Sequence, residues 1–193
     1  MGSEVKEMTV QTQNRLTLEE FLALPQDDIT YEFVDGEAQP KMSPKYFHSS
    51  LTGYLFVLLY PWSQNRGRVA IEWSVKLKRQ EKDWVPVPDL LYISDDRLNA
   101  DWIENVACPV PPELAIEIIS PEQSYGTRSE KAVDYIKAGV LRVWVIDPQD
   151  KSVTIFYPDA PPETKRGTAS LADSILEGLE LTPEQIFQRA GIP

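Results

Sequence analysis

The sequence predicts an α/β fold in which a mixed central β-sheet is flanked by helices. Segments with helical periodicity alternate with strand-like segments along the 193 residues, an order typical of such sheets. Two segments, residues 85–93 and 114–119, are rich in aliphatic and β-branched side chains, as strands buried on both faces are. With 42% hydrophobic residues, the chain can bury one sizeable core. We therefore expect a single domain over residues 15–193, preceded by a flexible polar arm, residues 1–14.

An N-terminal helix and a β-hairpin open the predicted domain. Residues 17–20 have the composition of a capping box, which predicts a short helix to about Leu24. Strand-like residues then lie on either side of Asp35-Gly36, the dipeptide typical of a two-residue type I′ turn. We therefore predict a hairpin over residues 31–39.

A long helix and a half-exposed strand follow the hairpin. Leucines recur at helical spacing over residues 47–64, and Gly67 lies just beyond the end of this pattern. Apolar and polar residues alternate over residues 69–78, which predicts one strand with a solvent-exposed face. A short helix is expected within residues 95–106.

The second half of the chain continues the alternation of helices and strands. In order, we predict a helix over about residues 127–138, strands over residues 143–148 and 153–157, a loop over residues 158–167, and a closing helix over residues 182–190. Gly139 ends the first of these helices, and Thr182-Pro183 begins the last with a cap and an N1 proline.

Composition restricts the compartment and the partners. The single cysteine, Cys108, allows no intramolecular disulfide, and no apolar segment has the length of a membrane span. These features predict a cytoplasmic protein with no membrane partner. The net charge of −11 argues against a sequence-independent electrostatic grip on nucleic acid, although an acidic enzyme can recruit divalent cations to phosphates.

Two acidic residues interrupt the apolar strand segments. Asp89 follows Pro88 in the first segment, and Glu117 lies in the second. A buried carboxylate is costly unless a cation, a proton or another partner offsets its charge. Neighbouring strands could bring both carboxylates to one Mg²⁺ or Mn²⁺, with a backbone carbonyl such as that of Ile118 as a further ligand. Alternatively, each acid lies at an exposed strand end.

Motifs along most of the chain resemble those of a known family. They are residues 15–25, residues 31–37, Met42-Ser43-Pro44 with His48, Pro88-Asp89, residues 117–121, Lys131 with Tyr135, and Ala138-Gly139-Val140 leading to residues 144–148. In this order and spacing, the chain resembles the Uma-type restriction endonuclease family, a bacterial group of unknown function within the PD-(D/E)xK nuclease superfamily.

The resemblance implies a restriction endonuclease-like core in which Asp89 and Glu117 are catalytic and bind Mg²⁺ or Mn²⁺. The superfamily usually has a lysine two residues after the second acid, where this chain has Ile119. The resemblance instead assigns the catalytic lysine to Lys131, which would orient or deprotonate the attacking water. Thr127 stands where family members often have an aspartate. It could cap the helix, but it cannot form an i,i+4 ion pair with Lys131.

Two accessory residues also match positions of the family. Glu32 in the hairpin could approach the metal directly or through water, or it could be an ordinary polar strand residue. His48, the only histidine, could contact a substrate phosphate or assist proton transfer, or it could serve the helix structurally.

The resemblance implies a metal-dependent endonuclease that hydrolyses phosphodiester bonds of nucleic acid. DNA is the expected substrate, and a homodimer is expected by analogy with the superfamily. Two alternatives stay open. A nuclease fold that binds without cleaving is favoured by the acidic charge and by Thr127, and a metal-dependent hydrolase of small phosphoesters suits that charge better than long DNA does.

Overall fold

Among the residues that the structure describes, six strands form the central β-sheet. The computed structural model describes residues 15–25, 29–120 and 125–192, so the arm predicted over residues 1–14 lies outside the described residues. The helices are α1 (Leu18–Leu22), α2 (Tyr46–Ser63), α3 (Tyr125–Lys137) and α4 (Pro183–Arg189). The strands are β1 (Tyr31–Val34), β2 (Glu37–Pro40), β3 (Gly67–Ile71), β4 (Leu77–Arg79), β5 (Lys82–Trp84), β6 (Leu90–Ser94), β7 (Leu114–Ile118), β8 (Arg142–Asp147), β9 (Ser152–Phe156) and β10 (Glu163–Arg166).

The central sheet is mixed, as the sequence predicts. Its strand order is β10-β9-β8-β7-β6-β3. β7 and β8 are parallel, whereas the other neighbouring pairs are antiparallel. A parallel pair needs a crossover connection, and α3 lies in the connection between β7 and β8. Every residue of β7 is buried, which confirms the strand predicted from its apolar composition.

Apolar side chains pack against both faces of the sheet. On one face, α2 and α4 contribute Leu51, Leu55, Leu59, Ile186 and Phe187. On the other face, α3 contributes Ala132 and Tyr135. Successive side chains of a strand point to opposite faces, and in β7 Ile116 packs with the first cluster and Ala115 with the second. Glu117 therefore lies on the face that α3 covers.

The N-terminal helix and the hairpin form as predicted. α1 begins with the expected capping box. β1 and β2 pair in antiparallel register, and the turn residues Asp35 and Gly36 have φ values of 52° and 85°, both positive as a type I′ turn requires. A bridge between Phe33 and Val85 holds the hairpin against the segment that leads to Asp89.

The single strand predicted over residues 69–78 is wrong, because the chain leaves the central sheet at Glu72. This residue has a φ of 49°, which lies outside the extended region of a strand. β3 ends at Ile71, and β4 pairs with β5 in a separate two-stranded sheet. The Glu72 carboxylate lies 3.0 Å from the ammonium of Lys41, so the break brings an acidic side chain to the hairpin.

Two predictions for the connecting segments are also wrong. The helix expected within residues 95–106 does not form, and Arg68 donates to three backbone carbonyl oxygens of this segment, groups that a helix would bond internally. The loop expected over residues 158–167 contains β10, a mostly exposed edge strand. Its pairing includes a contact of 2.9 Å between the hydroxyls of Thr154 and Thr164, which a sequence pattern based on apolar residues does not reveal.

The other helices follow the predicted boundaries closely. α4 begins at Thr182 and Pro183 with the expected capping box. α3 includes Thr127, so the expectation that this residue caps the helix is wrong. Gly139 follows α3 with a φ of 100°, a conformation that suits glycine at a helix end. Within the described ranges, every helix is too short or too polar to cross a membrane.

Candidate active site

Asp89 lies immediately before β6, so the strand predicted over residues 85–93 forms only from Leu90, whereas Glu117 lies within the neighbouring strand β7. Leu90 of β6 pairs with Ile116 of β7, and the backbone N–H of Asp89 also donates to the Ile116 carbonyl, at 3.0 Å, which holds Asp89 beside the residue that precedes Glu117. Both acidic side chains have an exposed fraction of 0%. Because carboxylates without solvent need other partners, their neighbours determine what the site can do.

A lysine, a histidine and a backbone amide surround Asp89. Nζ of Lys41 lies 2.7 Å from Oδ1, and Nε2 of His48 lies 3.0 Å from Oδ2. The backbone N–H of Ile118 donates to Oδ2 at 2.7 Å. Burial raises the pKa of the Asp89 carboxyl, but the hydrogen bond with His48 and the charge of Lys41 outweigh burial, so this pKa lies below its usual value. Asp89 is therefore held as an anion.

Lys41 is the cation closest to this anion on the hairpin side. Its backbone N–H donates to the carbonyl of Thr30 at 2.8 Å, which extends the hairpin by one residue beyond β2. Burial lowers the pKa of the Lys41 ammonium, but the carboxylates of Asp89 and Glu117 raise it more, so the pKa lies above its usual value. Lys41 thus remains charged at a largely buried position.

Glu117 receives three side chains from one face of α3. Tyr135 donates its hydroxyl to Oε1 at 2.9 Å, Nζ of Lys131 lies 2.8 Å from Oε1, and Arg128 forms an ion pair with Oε2. Residues three and four positions apart share a helix face, so this spacing directs all three groups at the carboxylate. Burial, followed by the negative charge of Glu117, raises the pKa of the Tyr135 hydroxyl, which keeps it a donor.

Lys131 joins the centre to the hairpin. Its Nζ lies 2.7 Å from Oε1 of Glu32 as well as 2.8 Å from Oε1 of Glu117. Glu32 is itself fixed, because the backbone N–H of Val87 donates to its Oε1 at 2.9 Å. Two carboxylates therefore position Lys131, and an aspartate in place of Thr127 is not needed for this purpose.

The structure brings all the residues predicted for the site into one cluster. Asp89, Glu117 and Lys131 lie at its centre, with Glu32 and His48 each in contact with one of them. Sequence reasoning missed four neighbours, which are Lys41, Glu72, Arg128 and Tyr135. The sequence does contain a signal for Arg128 and Tyr135, because they lie three residues before and four residues after Lys131 and therefore share its helix face.

The donor chemistry of the two buried carboxylates fits a hard divalent cation. Mg²⁺ and Mn²⁺ prefer oxygen ligands, and Mg²⁺ usually keeps several waters. In residues 15–25, 29–120 and 125–192, no group of three or more His, Cys, Asp or Glu side chains could hold a metal. The protein ligands would therefore be Asp89 and Glu117, and a bound cation would compete with Lys41 for the Asp89 carboxylate.

Comparisons with known proteins agree with this fold. A family model, Uma2, described as "Putative restriction endonuclease", matches residues 18–184. A crystal structure described as a putative nuclease belonging to DUF820 from Anabaena variabilis is similar, with a TM-score of 0.78 and 24% sequence identity. The match covers 91% of this chain and 99% of that chain. No curated protein matches the chain.

Proposed function

The chain belongs to the Uma2 family, described as "Putative restriction endonuclease", and from this premise we propose that it is a cytoplasmic, divalent-metal-dependent nuclease that hydrolyses phosphodiester bonds of DNA. The observation that carries the proposal is the pair of carboxylates, Asp89 and Glu117, that have no solvent exposure, with Nζ of Lys131 2.8 Å from Glu117. This combination supports the proposal, because a metal held by carboxylates and a neighbouring cation can together promote phosphodiester hydrolysis.

In this proposal Asp89 and Glu117 would hold Mg²⁺ or Mn²⁺. When bound, such an ion lowers the pKa of water and offsets charge on the phosphoryl oxygens. The backbone holds both ligands near β7, because Glu117 belongs to that strand and the N–H of Asp89 donates to the carbonyl of Ile116. His48 positions Asp89, whereas Arg128 and Tyr135 position Glu117.

Lys131 is the catalytic lysine of the proposal. Its ammonium donates a hydrogen bond to the attacking water and offsets the negative charge that develops on the phosphate. Glu32 positions this lysine from the hairpin side through the 2.7 Å contact with Nζ. Because Lys131 has a side-chain exposure of only 15%, bulk water screens its charge less than that of a surface lysine.

A nuclease fold that binds without cleaving is the second candidate. The observation in its favour is that cations of the chain already compensate both carboxylates, with Lys41 on Asp89 and Arg128 and Lys131 on Glu117. A third candidate, a hydrolase of small phosphoesters, draws support from the net charge of −11, which disfavours long polyanions.

A cleavage assay supplemented with Mn²⁺ separates these candidates. Single-stranded, double-stranded and nicked DNA, RNA and a small phosphodiester are incubated with the wild type, Glu117→Ala and Lys131→Ala. We expect cleavage of DNA by the wild type alone, and Lys137→Ala serves as a control at an exposed position of the same helix. Absence of cleavage from every substrate would contradict a nuclease, and cleavage of the small diester alone would favour the third candidate.

A homodimer, which would present two centres to the two strands of DNA, is tested by sedimentation in the same buffer.

A further inference from the structure

A cavity of about 520 Å³ adjoins the carboxylate cluster. It lies between the first residues of α2 and α3, beside residues that follow β7 and β8. His48 belongs to both places, because it lines the cavity and its Nε2 lies 3.0 Å from Oδ2 of Asp89. Ser120, shortly after Glu117 in the chain, lines the cavity as well. A ligand in the cavity would therefore lie next to the proposed catalytic centre.

Tyrosine and phenylalanine rings contribute to the cavity wall. Tyr46, Phe47 and Tyr125 line it, with exposed fractions of 73%, 44% and 45%. Large exposed rings that converge on one concave site usually serve binding. The hydroxyl of Tyr125 lies 3.3 Å from Oγ1 of Thr154, a contact that anchors this ring on β9.

Polar groups at the same site suit the edge of a nucleobase and a phosphate. Asp147 and Gln149 line one side of the cavity, and Lys45 lines it at the start of α2. Carboxylate and amide groups can read the hydrogen-bonding edge of a base that stacks on aromatic rings. The ammonium of Lys45 and the positive end of the α2 dipole are favourable to a phosphate.

We propose that this cavity binds an unpaired nucleobase of a single-stranded nucleic acid while the adjoining phosphate lies at Asp89 and Glu117. The inference rests on the proposed nuclease function and names the form of its substrate. The volume is within the range of sites for small organic groups, roughly 300–1,000 Å³, and a base that remains paired inside a duplex cannot enter such a site. Stacking is also compatible with an acidic protein, whereas a grip on duplex DNA depends on many phosphate contacts.

Binding of a fluorescently labelled single-stranded oligonucleotide, followed by anisotropy at low salt with Ca²⁺ as the divalent cation in place of Mg²⁺ or Mn²⁺, tests the proposal. The comparison substrates are its duplex and the same strand with abasic positions. We expect the intact single strand to bind more tightly than the duplex and more tightly than the abasic strand. Tyr46→Ala should weaken single-strand binding by about tenfold, since each stacked base contributes roughly that much or more, and should leave abasic binding unchanged.

Two variants control for indirect effects. Tyr46→Phe keeps the ring and should bind as the wild type does. Tyr54→Ala removes an α2 ring that is 43% exposed and is absent from the cavity lining, so its affinity should stay within about twofold of the wild type. Equal affinity for the intact and abasic strands, or equal losses from Tyr46→Ala and Tyr54→Ala, would overturn the base-binding site.

Cleavage measured on the same preparations distinguishes a failure of the base-binding proposal from a failure of the proposed nuclease function. Base-dependent binding without cleavage of any strand supports the cavity and contradicts the nuclease. Cleavage that depends on Asp89 but is equally fast on intact and abasic strands supports the nuclease and overturns the cavity proposal.

Discussion

The ammonium nitrogen of Lys41 lies 2.7 Å from Oδ1 of Asp89, so a lysine from the end of the hairpin compensates a carboxylate that has no contact with solvent. The same ammonium lies 3.0 Å from Glu72, at the point where the chain leaves the central sheet. A divalent cation at Asp89 would take over the charge compensation that Lys41 provides. Metal binding and the stability of the metal-free protein are thus linked through this one contact.

Replacement of Lys41 by methionine should destabilise the metal-free protein. Removing one partner of a buried ion pair leaves an uncompensated charge, and such changes cost about 3 kcal/mol or more. We expect the free energy of unfolding in urea and EDTA to fall by about that amount, and Mn²⁺ to restore much of the loss because it compensates Asp89 in turn. Lys78→Met is the matched control, since Lys78 is 65% exposed in its pair with Asp83. A loss no greater than that of the control would contradict the role of Lys41.

Replacement of Lys131 by methionine should abolish most cleavage and leave metal binding intact. A donor that stabilises charge developing in the transition state contributes roughly 10²- to 10³-fold to a rate, so we expect the single-turnover rate to fall by about that factor. Lys137→Met, on the exposed last turn of α3, should cleave as the wild type does. Equal rates for the two variants would remove Lys131 from the mechanism.

The hydrogen bond from Tyr135 to Glu117 should appear as a coupling energy. Tyr135→Phe removes only the hydroxyl that lies 2.9 Å from Oε1, and hydrogen bonds to charged groups contribute about 1.5–3 kcal/mol. In a double-mutant cycle with Glu117→Gln, unfolding measurements should give a coupling energy near the lower end of that range. Additive losses from the two changes would mean that the hydroxyl does not position this carboxylate.

Replacement of Thr127 by aspartate, one turn before Lys131, should change the cleavage rate little. An i,i+4 ion pair contributes only about 0.2–0.5 kcal/mol on a helix, and Lys131 already lies between Glu32 and Glu117. We therefore expect Thr127→Asp to alter the cleavage rate by less than about threefold. A much larger gain in rate would show that Glu32 does not suffice to position Lys131.

Local sequence patterns predict the strand that carries Glu117. The apolar composition of residues 114–119 predicts the buried strand β7, and a carboxylate within such a strand demands a partner. The capping boxes and the Asp35-Gly36 turn likewise predict α1, α4 and the hairpin, because these signals depend on neighbouring residues only. The place of Lys131 came from family resemblance, since Ile119 occupies the usual position of the superfamily's lysine.

The contacts of Lys41 and Glu72 could not be predicted in this way. They join the end of the hairpin to the residue after β3 and to the residue before β6, in a hairpin that the bridge between Phe33 and Val85 holds in place. The alternation of polar and apolar residues continues across Glu72 although the backbone there has a φ of 49°. Periodicity reports which face a side chain would take in a strand, and it does not report whether the strand continues.

Titration of the protein with Mn²⁺, followed by the electron paramagnetic resonance signal of the free ion, tests the central claim most directly. The claim is that Asp89 and Glu117 together hold a divalent cation. The wild type should bind Mn²⁺ and lose the free-ion signal, whereas Asp89→Ala and Glu117→Ala should each leave most of that signal in place. Thermal unfolding of both variants checks that they are folded at the temperature of the titration. Wild-type protein that leaves the signal unchanged, or folded variants that bind Mn²⁺ as tightly as the wild type, would contradict the claim.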